Sequence, residues 1–147
     1  MRFLYSTVMM IVVLGCQTQN KMKEKQKQII ENYVDSYNNF DILGMIIHLD
    51  ENVVFENISN GKVDLKTDGL SEFKKQAETA KQYFSERKQT IVNWMYNDSI
   101  VSIDIDYIAK LNVDLPNGMK KGDTLKIKGK SRFEFHEGKI RKITDEI

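Results

Sequence analysis

The chain has 147 residues, with one cysteine, one proline, eight glycines and a formal net charge of only +1. A single cysteine excludes a disulfide framework and any multi-cysteine zinc site. One proline and few glycines exclude a collagenous chain or a Pro/Gly-rich linker protein. With 22 Lys and Arg against 21 Asp and Glu, the basic surplus that phosphate recognition needs is missing, which argues against nucleic-acid binding as the main task. The longest apolar run, residues 3–14, falls short of the roughly 20 residues of a spanning helix. The two histidines, His48 and His136, stand apart and away from clustered acids, so they do not read as a metal site. No Gly-rich phosphate loop, Gly-x-Ser-x-Gly elbow or nucleophile–histidine pair occurs. What is present is the composition of one globular domain, 41% hydrophobic, 10% aromatic and 29% charged, in a chain too short for two full-sized domains.

The first residues read as an address. Arg2 is followed by an apolar run from Phe3 to Leu14, broken only by Ser6 and Thr7, the charged start and apolar core of a secretory signal. The run ends Val13-Leu14-Gly15-Cys16, which resembles the bacterial lipobox: an aliphatic residue three before the cysteine and a small one immediately before it. That resemblance implies a signal peptide over 1–15, cleavage before Cys16, and acylation of the Cys16 thiol and new amino group. At about 0.8 kcal/mol per buried methylene, several acyl chains anchor a protein permanently. The implied location is the bacterial cell envelope, and Gln17 after the cysteine favours the outer membrane in a Gram-negative host. An uncleaved anchor or an unmodified cysteine are the alternatives. Residues 16–27 form a polar tether running into a helix. Its Lys21, Lys23, Lys25 and Lys27 lie near anionic headgroups or form a solvated spacer.

From 28 to 147 the periodicity describes a domain. Ile29, Ile30, Tyr33, Val34 and Tyr37 share one helical stripe, which Asn38-Asn39 breaks. Asp41 caps a short second helix whose buried face is Ile42, Ile46 and Leu49. Val53-Val54-Phe55 is a short strand and Asn60-Gly61 a turn. Asp68-Gly69 precedes a third helix with the stripe Leu70, Phe73, Ala77, Ala80 and Phe84, ending near Arg87. The period then changes to two. Strands are expected over Thr90–Tyr96, Ile100–Val113, Leu125–Phe135 and Lys139–Ile147, separated by Asn97-Asp98, the loop around Pro116-Asn117-Gly118 and Lys121-Gly122-Asp123, and Glu137-Gly138. Val101, Ile103, Ile105, Tyr107, Ala109 and Leu111 fall on one face. So do Leu125, Ile127, Gly129, Ser131, Phe133 and Phe135, opposite Lys126, Lys128, Lys130, Arg132 and Glu134. Helices segregated from a run of antiparallel strands make an α+β fold.

This order resembles the nuclear-transport-factor-two-like superfamily, which includes SnoaL-like polyketide cyclases and ketosteroid isomerases. Local cues are Tyr33-Val34, Asn39-Phe40-Asp41, the acidic turn Asp50-Glu51-Asn52 into Val53-Val54-Phe55, Gly69 to Phe73, Ser131 to Phe135, Gly138-Lys139-Ile140 and Ile143. The resemblance implies a strongly curved antiparallel sheet wrapped around about three N-terminal helices. Its open end holds a mostly apolar pocket. In ketosteroid isomerase, a worked case of tuned acidity, an Asp base acts with a Tyr and a protonated Asp as oxyanion donors. Matching the chains puts the tyrosine at Tyr33, the base at Asn57 and the protonated acid at Ser131. An amide cannot take a proton at any useful pH, so that isomerase chemistry does not carry over. Glu56 is a carboxylate, but strand alternation sends it to the face opposite Asn57.

Other candidates come from the residues themselves. Asp145 shares a face with Ile143 and Ile147 on the last strand; facing inward, it would be a pocket acid with a raised pKa. Asp104 and Asp106 share a face with Ser102 and Ile108, either as a proton-sharing pair or as a solvated surface. Tyr33, Tyr37, Trp94, Tyr107 and Phe133 line a cavity or simply fill a core. Lys120, Lys121, Lys126, Lys128 and Lys130 make a basic face, for acidic lipid or a partner, or as an exposed face guarded by lysine. The leading expectation is a membrane-tethered domain that binds a small apolar or amphipathic ligand through Tyr33, Tyr37, Asn57, Trp94, Tyr107, Ser131, Phe133 and Asp145, with no cofactor and no metal. Two alternatives stand beside it. One is a cyclase, dehydratase or hydrolase using Asp145, with Tyr33, or the Asp104/Asp106 pair. The other is an interaction module that dimerises through the sheet.

Overall fold

The computed structural model describes the backbone of residues 5–147 and the side chains from residue 17 onward. The expected signal segment 1–15 and the acylation site Cys16 therefore fall outside the residues described in full. Three helices and six strands follow in the order α1 (Tyr5–Asn38), α2 (Ile42–Ile46), β1 (Leu49–Ser59), β2 (Lys62–Asp68), α3 (Leu70–Lys81), β3 (Phe84–Asn97), β4 (Ile100–Leu111), β5 (Thr124–His136) and β6 (Lys139–Glu146). The strands form one curved, open sheet in the order β2-β1-β6-β5-β4-β3. All neighbours are antiparallel except β1 and β6, which run parallel, so the sheet is mixed. Among the described residues no helix is long and apolar enough to cross a membrane. The polar segment 17–28 continues α1 as helix, and its Gln26 is buried.

The α1 stripe packs as its spacing dictates. Ile29, Ile30, Tyr33 and Val34 are buried against Val101, Ile103 and Phe133 of β4 and β5 and Ile140 and Ile143 of β6. Asn38 closes the helix by a reciprocal pair with β3, donating to the Gln89 carbonyl (3.0 Å) and accepting from the Gln89 amide (2.7 Å). Phe40 turns the chain with a left-handed backbone, φ 58°. Asp41 caps α2 by accepting from the Gly44 amide at 2.9 Å, as its residue type favours. Two hairpin turns place two consecutive residues at positive φ, Asn60-Gly61 and Glu137-Gly138, the conformation tight hairpins need.

Four sequence expectations are corrected. The third helix ends at Lys81, and Phe84, read as part of its stripe, opens β3. The spacing 73, 77, 80, 84 is helical, but residues 84–89 pair with 111–107 of the long β4 strand, and cross-strand pairing overrides local period. For the same reason β3 starts six residues before Thr90. The short strand at 53–55 is an eleven-residue strand that absorbs Leu49, so Leu49 is buried in the sheet and Met45 joins Ile42 on the buried face of α2. β2 was not expected: as an edge strand it is exposed at all but Leu65 and Thr67, which leaves almost no apolar alternation to read.

Candidate functional site

The concave face of the sheet, α1 and α3 enclose a cavity of about 290 Å³. That is near the lower end of the range for small-molecule sites. Most of its wall is apolar: Phe55 of β1, Leu65 of β2, Phe73, Ala77 and Ala80 of α3, Ile105 of β4, and Leu125 and Ile127 of β5. Phe55 and Phe73 meet edge to face at 5.7 Å. Gly129 lies in the wall between Ile127 and Ser131. A Cβ there would stand 3.0 Å from the Glu146 carbonyl and 3.2 Å from Ile147 Cγ2, so its lack of a side chain keeps that part of the cavity open.

The polar groups of the wall come from strands far apart in sequence. Asn57 on β1 stands opposite Asp145 on β6, and Asp145 stands opposite Ser131 on β5. Side chains at opposed positions share a face, so the three form a row across three adjacent strands. Ser131 Oγ donates to Asp145 Oδ1 at 2.6 Å. Burial pushes the Asp145 carboxyl up to about 6, and the Ser131 hydrogen bond offsets only part of that rise. Above the row, Tyr33 is buried with its ring edge-on to Phe133 at 5.6 Å. Its phenol is raised well above 10, chiefly by burial and then by the charge of Asp145. Tyr37 Oη donates to Tyr107 Oη at 3.2 Å, and burial raises both phenols.

The structure thus brings Tyr33, Tyr37, Asn57, Tyr107, Ser131 and Asp145 into one cavity. Two expected lining residues are elsewhere. Phe133 is 1% exposed and belongs to the core behind Tyr33. Trp94 packs against the core and stacks on Tyr96 at 6.1 Å, toward the end of β3 away from the cavity. The Asp104/Asp106 pair is on the convex face: alternation sends both opposite to Ile103 and Ile105, where they pair with Lys130 at 3.8 Å and Lys128 at 3.4 Å. Glu56 also lies off the cavity, paired with Lys142 at 2.8 Å. Among the described residues there is no group of three or more His, Cys, Asp or Glu side chains fit to hold a metal.

Sequence reading missed Arg87 and Gln89, both buried in the wall. The signal was the alternation Arg87, Gln89, Ile91, hidden when Arg87 was assigned to a helix end. Arg87 Nε donates to the Tyr37 carbonyl at 2.7 Å. The guanidinium lies 3.7 Å from the Tyr37 ring centroid and 4.3 Å from that of Phe40.

By sequence the chain matches no protein-family model and no curated protein. Its three-dimensional structure is similar to many solved ones. A candidate polyketide cyclase from Xanthomonas campestris pv. campestris superposes with a TM-score of 0.73 at 16% identity, over 86% of this chain and 92% of that one. A candidate hydroxylase from Streptomyces galilaeus gives 0.67 at 18% identity, over 84% and 88%. A protein of ketosteroid-isomerase-like fold from Catenulispora acidiphila, solved with trimethylamine, gives 0.66 at 9% identity, over 80% and 82%. Likeness at such identities speaks for architecture, since one fold hosts many functions: the chain has the cone fold of nuclear-transport-factor-two-like proteins and SnoaL-like polyketide cyclases.

Proposed function

We propose that this protein binds a small amphipathic molecule in the cone cavity, with Asn57, Ser131, Asp145 and Tyr33 making its polar contacts. One observation carries the reading: a largely apolar cavity of about 290 Å³ holds the convergent polar row Asn57–Asp145–Ser131. An apolar enclosure with few polar groups is what a small-ligand site requires. We include the anchoring suggested by Val13-Leu14-Gly15-Cys16 in the proposal, so that the domain works tethered to the bacterial envelope.

Native mass spectrometry of the purified full chain, followed by solvent extraction, tests the binding claim. The expected result is a small molecule retained at near-stoichiometric amount. A clean apo mass, unchanged on adding lipids and aromatic compounds, overturns it and shifts the reading to a partner-binding module, whose dimer mass the same spectrum reveals. For the tether, Cys16→Ser is expected to abolish acyl labelling and membrane retention; unchanged labelling refutes it.

The Asp145–Ser131 pair favours a second reading, an acid–base enzyme. A carboxyl that titrates near 6 exchanges protons readily at neutral pH. The structural neighbours described as cyclases and hydroxylases suggest the reaction classes. Asp145 then acts as the acid or base, and Tyr33 as the hydrogen-bond donor to a developing oxyanion. Turnover of a substrate by the wild type and its loss in Asp145→Asn decides between binding and catalysis.

A further inference from the structure

Arg87 is 6% exposed and lines the cavity. A guanidinium stays charged under all ordinary conditions, so burying it requires compensating partners. The protein supplies part of that compensation. Nε bonds the Tyr37 carbonyl in the last turn of α1, where the helix dipole is negative. The rings of Tyr37 and Phe40 lie against the guanidinium, and such contacts attract a cation. The rest is missing. Among the described residues no carboxylate lies within ion-pair distance of Arg87. The guanidinium also lies close enough to the Tyr37 hydroxyl to lower its pKa, but Nη2 is enclosed with no acceptor among the described residues. A buried charge-bearing donor without an acceptor is rare and calls for a partner that none of the described residues supplies.

Beside it stand Tyr37 and Tyr107. The two hydroxyls share one hydrogen bond at 3.2 Å, which leaves one of the two phenol protons to be given to something else. A fixed cation, a free phenol proton and an apolar wall together describe the recognition of an acid attached to a hydrocarbon body. We propose that Arg87 takes the anionic oxygens of the cavity's ligand, with the Tyr107 hydroxyl alongside, and that the ligand is therefore an amphipathic organic acid. The apolar body lies along Ile105, Ile127 and Phe73, toward the Asn57–Asp145–Ser131 row. The proposal rests on the cavity being a ligand site and adds the chemical class of that ligand.

The test compares acids with the matching alcohols. Dissociation constants are measured on the full chain for 4-phenylbutanoate, octanoate and 2-naphthoate, and for 4-phenylbutan-1-ol, octan-1-ol and 2-naphthalenemethanol. Wild type is expected to favour the acid of each pair by tenfold or more, in keeping with a charge-assisted hydrogen bond. Arg87→Met is expected to lose that preference while keeping affinity for the alcohols, and Arg87→Lys to keep part of it. Equal affinity of wild type for acid and alcohol overturns the role of Arg87 and leaves the cavity reading intact. So does an equal loss of both in Arg87→Met with the preference unchanged, which is what a purely structural cap on α1 would produce. Failure of all six compounds to bind overturns the cavity reading and this proposal with it. The wild-type ratio needs no variant, and Arg87→Lys retains the charge that closes α1, so the outcome does not depend on Arg87→Met folding.

Discussion

Replacing Asp145 by Asn should make the protein more stable at alkaline pH relative to acid pH. The ordinary carboxyl titrates at 3.8 and Asp145 at about 6. Below 3.8 the group is protonated in both folded and unfolded chains and contributes no difference. Between 3.8 and 6 the folded chain holds a proton that the unfolded chain has lost, so stability falls as pH rises through this window. Above 6 both forms are ionised and the full penalty is in place. The gap between 3.8 and about 6 corresponds to a penalty of about 3 kcal/mol. Asparagine has the same shape, keeps an acceptor for the Ser131 hydroxyl and never ionises. Its extra N–H donors carry a cost of their own, roughly 1 kcal/mol if unpartnered, but that cost is the same at every pH. The informative quantity is therefore a double difference. The stability of Asp145→Asn minus that of wild type should be about 2.5 kcal/mol greater at pH 8 than at pH 4. Urea unfolding of both proteins at half-unit pH intervals measures it. Parallel curves, with a double difference under about 1 kcal/mol, would refute the claim that burial controls this carboxyl.

Ser131→Ala removes the hydrogen bond that holds the Asp145 pKa down; a carbon-13 titration of the carboxyl should then place it above about 6, and an unchanged or lower value contradicts the pairing. Gly129→Val puts a branched side chain where a Cβ already meets the Glu146 carbonyl at 3.0 Å. It should cost roughly 1–3 kcal/mol of stability and block every ligand that wild type binds; retained binding would show that the ligand lies elsewhere. Phe133→Ala empties a fully enclosed site beside Tyr33 and should lower the unfolding free energy by about 3–5 kcal/mol; a loss under 1 kcal/mol would mean that Phe133 is not core.

The parts of the fold that were legible are those where one face is buried and the other wet. β5 alternates from Leu125 to Phe133, where its inward side chains are the less exposed ones, and the alternation breaks only at the register shift between Glu134 and Phe135. β4 does the same from Val101 to Leu111. The α1 stripe is equally plain. What stayed hidden depended on partners. β2 has its side chains mostly in water, so no apolar period marks it. The start of β3 carries Arg87 and Gln89 at inward positions, where polar side chains break the pattern that would have announced a strand. The site follows the same rule. Asn57, Ser131 and Asp145 could each be singled out on its own strand, but the parallel pairing of β1 with β6 that brings them level is a long-range contact with no local signature. Arg87 could not be singled out, because an arginine at an apparent helix end is ordinary and becomes informative only once its burial is known.

An anionic ligand at Arg87 should couple that end of the cavity to Asp145 by charge, and the sign of that coupling can be measured. Arg87 and Asp145 act in opposite directions on the Tyr33 phenol, the cation lowering its pKa and the carboxylate raising it, so both fields reach into the same enclosed volume. Lys130 and Glu146, opposed on β5 and β6, also border it, but alternation carries their side chains to the exposed convex face, where Lys130 pairs with Asp104. An anionic ligand held by Arg87 adds a negative charge to the cavity that Asp145 lines. That added charge disfavours ionised Asp145, so its pKa should rise above about 6 in the complex. Binding an acid at pH 6.5 should then take up a fraction of a proton, whereas binding the matching alcohol should take up less. Calorimetry in buffers of different ionisation enthalpy reads that number directly. Uptake that disappears in Asp145→Asn assigns it to this carboxyl; proton release, or uptake equal for acid and alcohol, would show that ligand charge and Asp145 do not share the cavity.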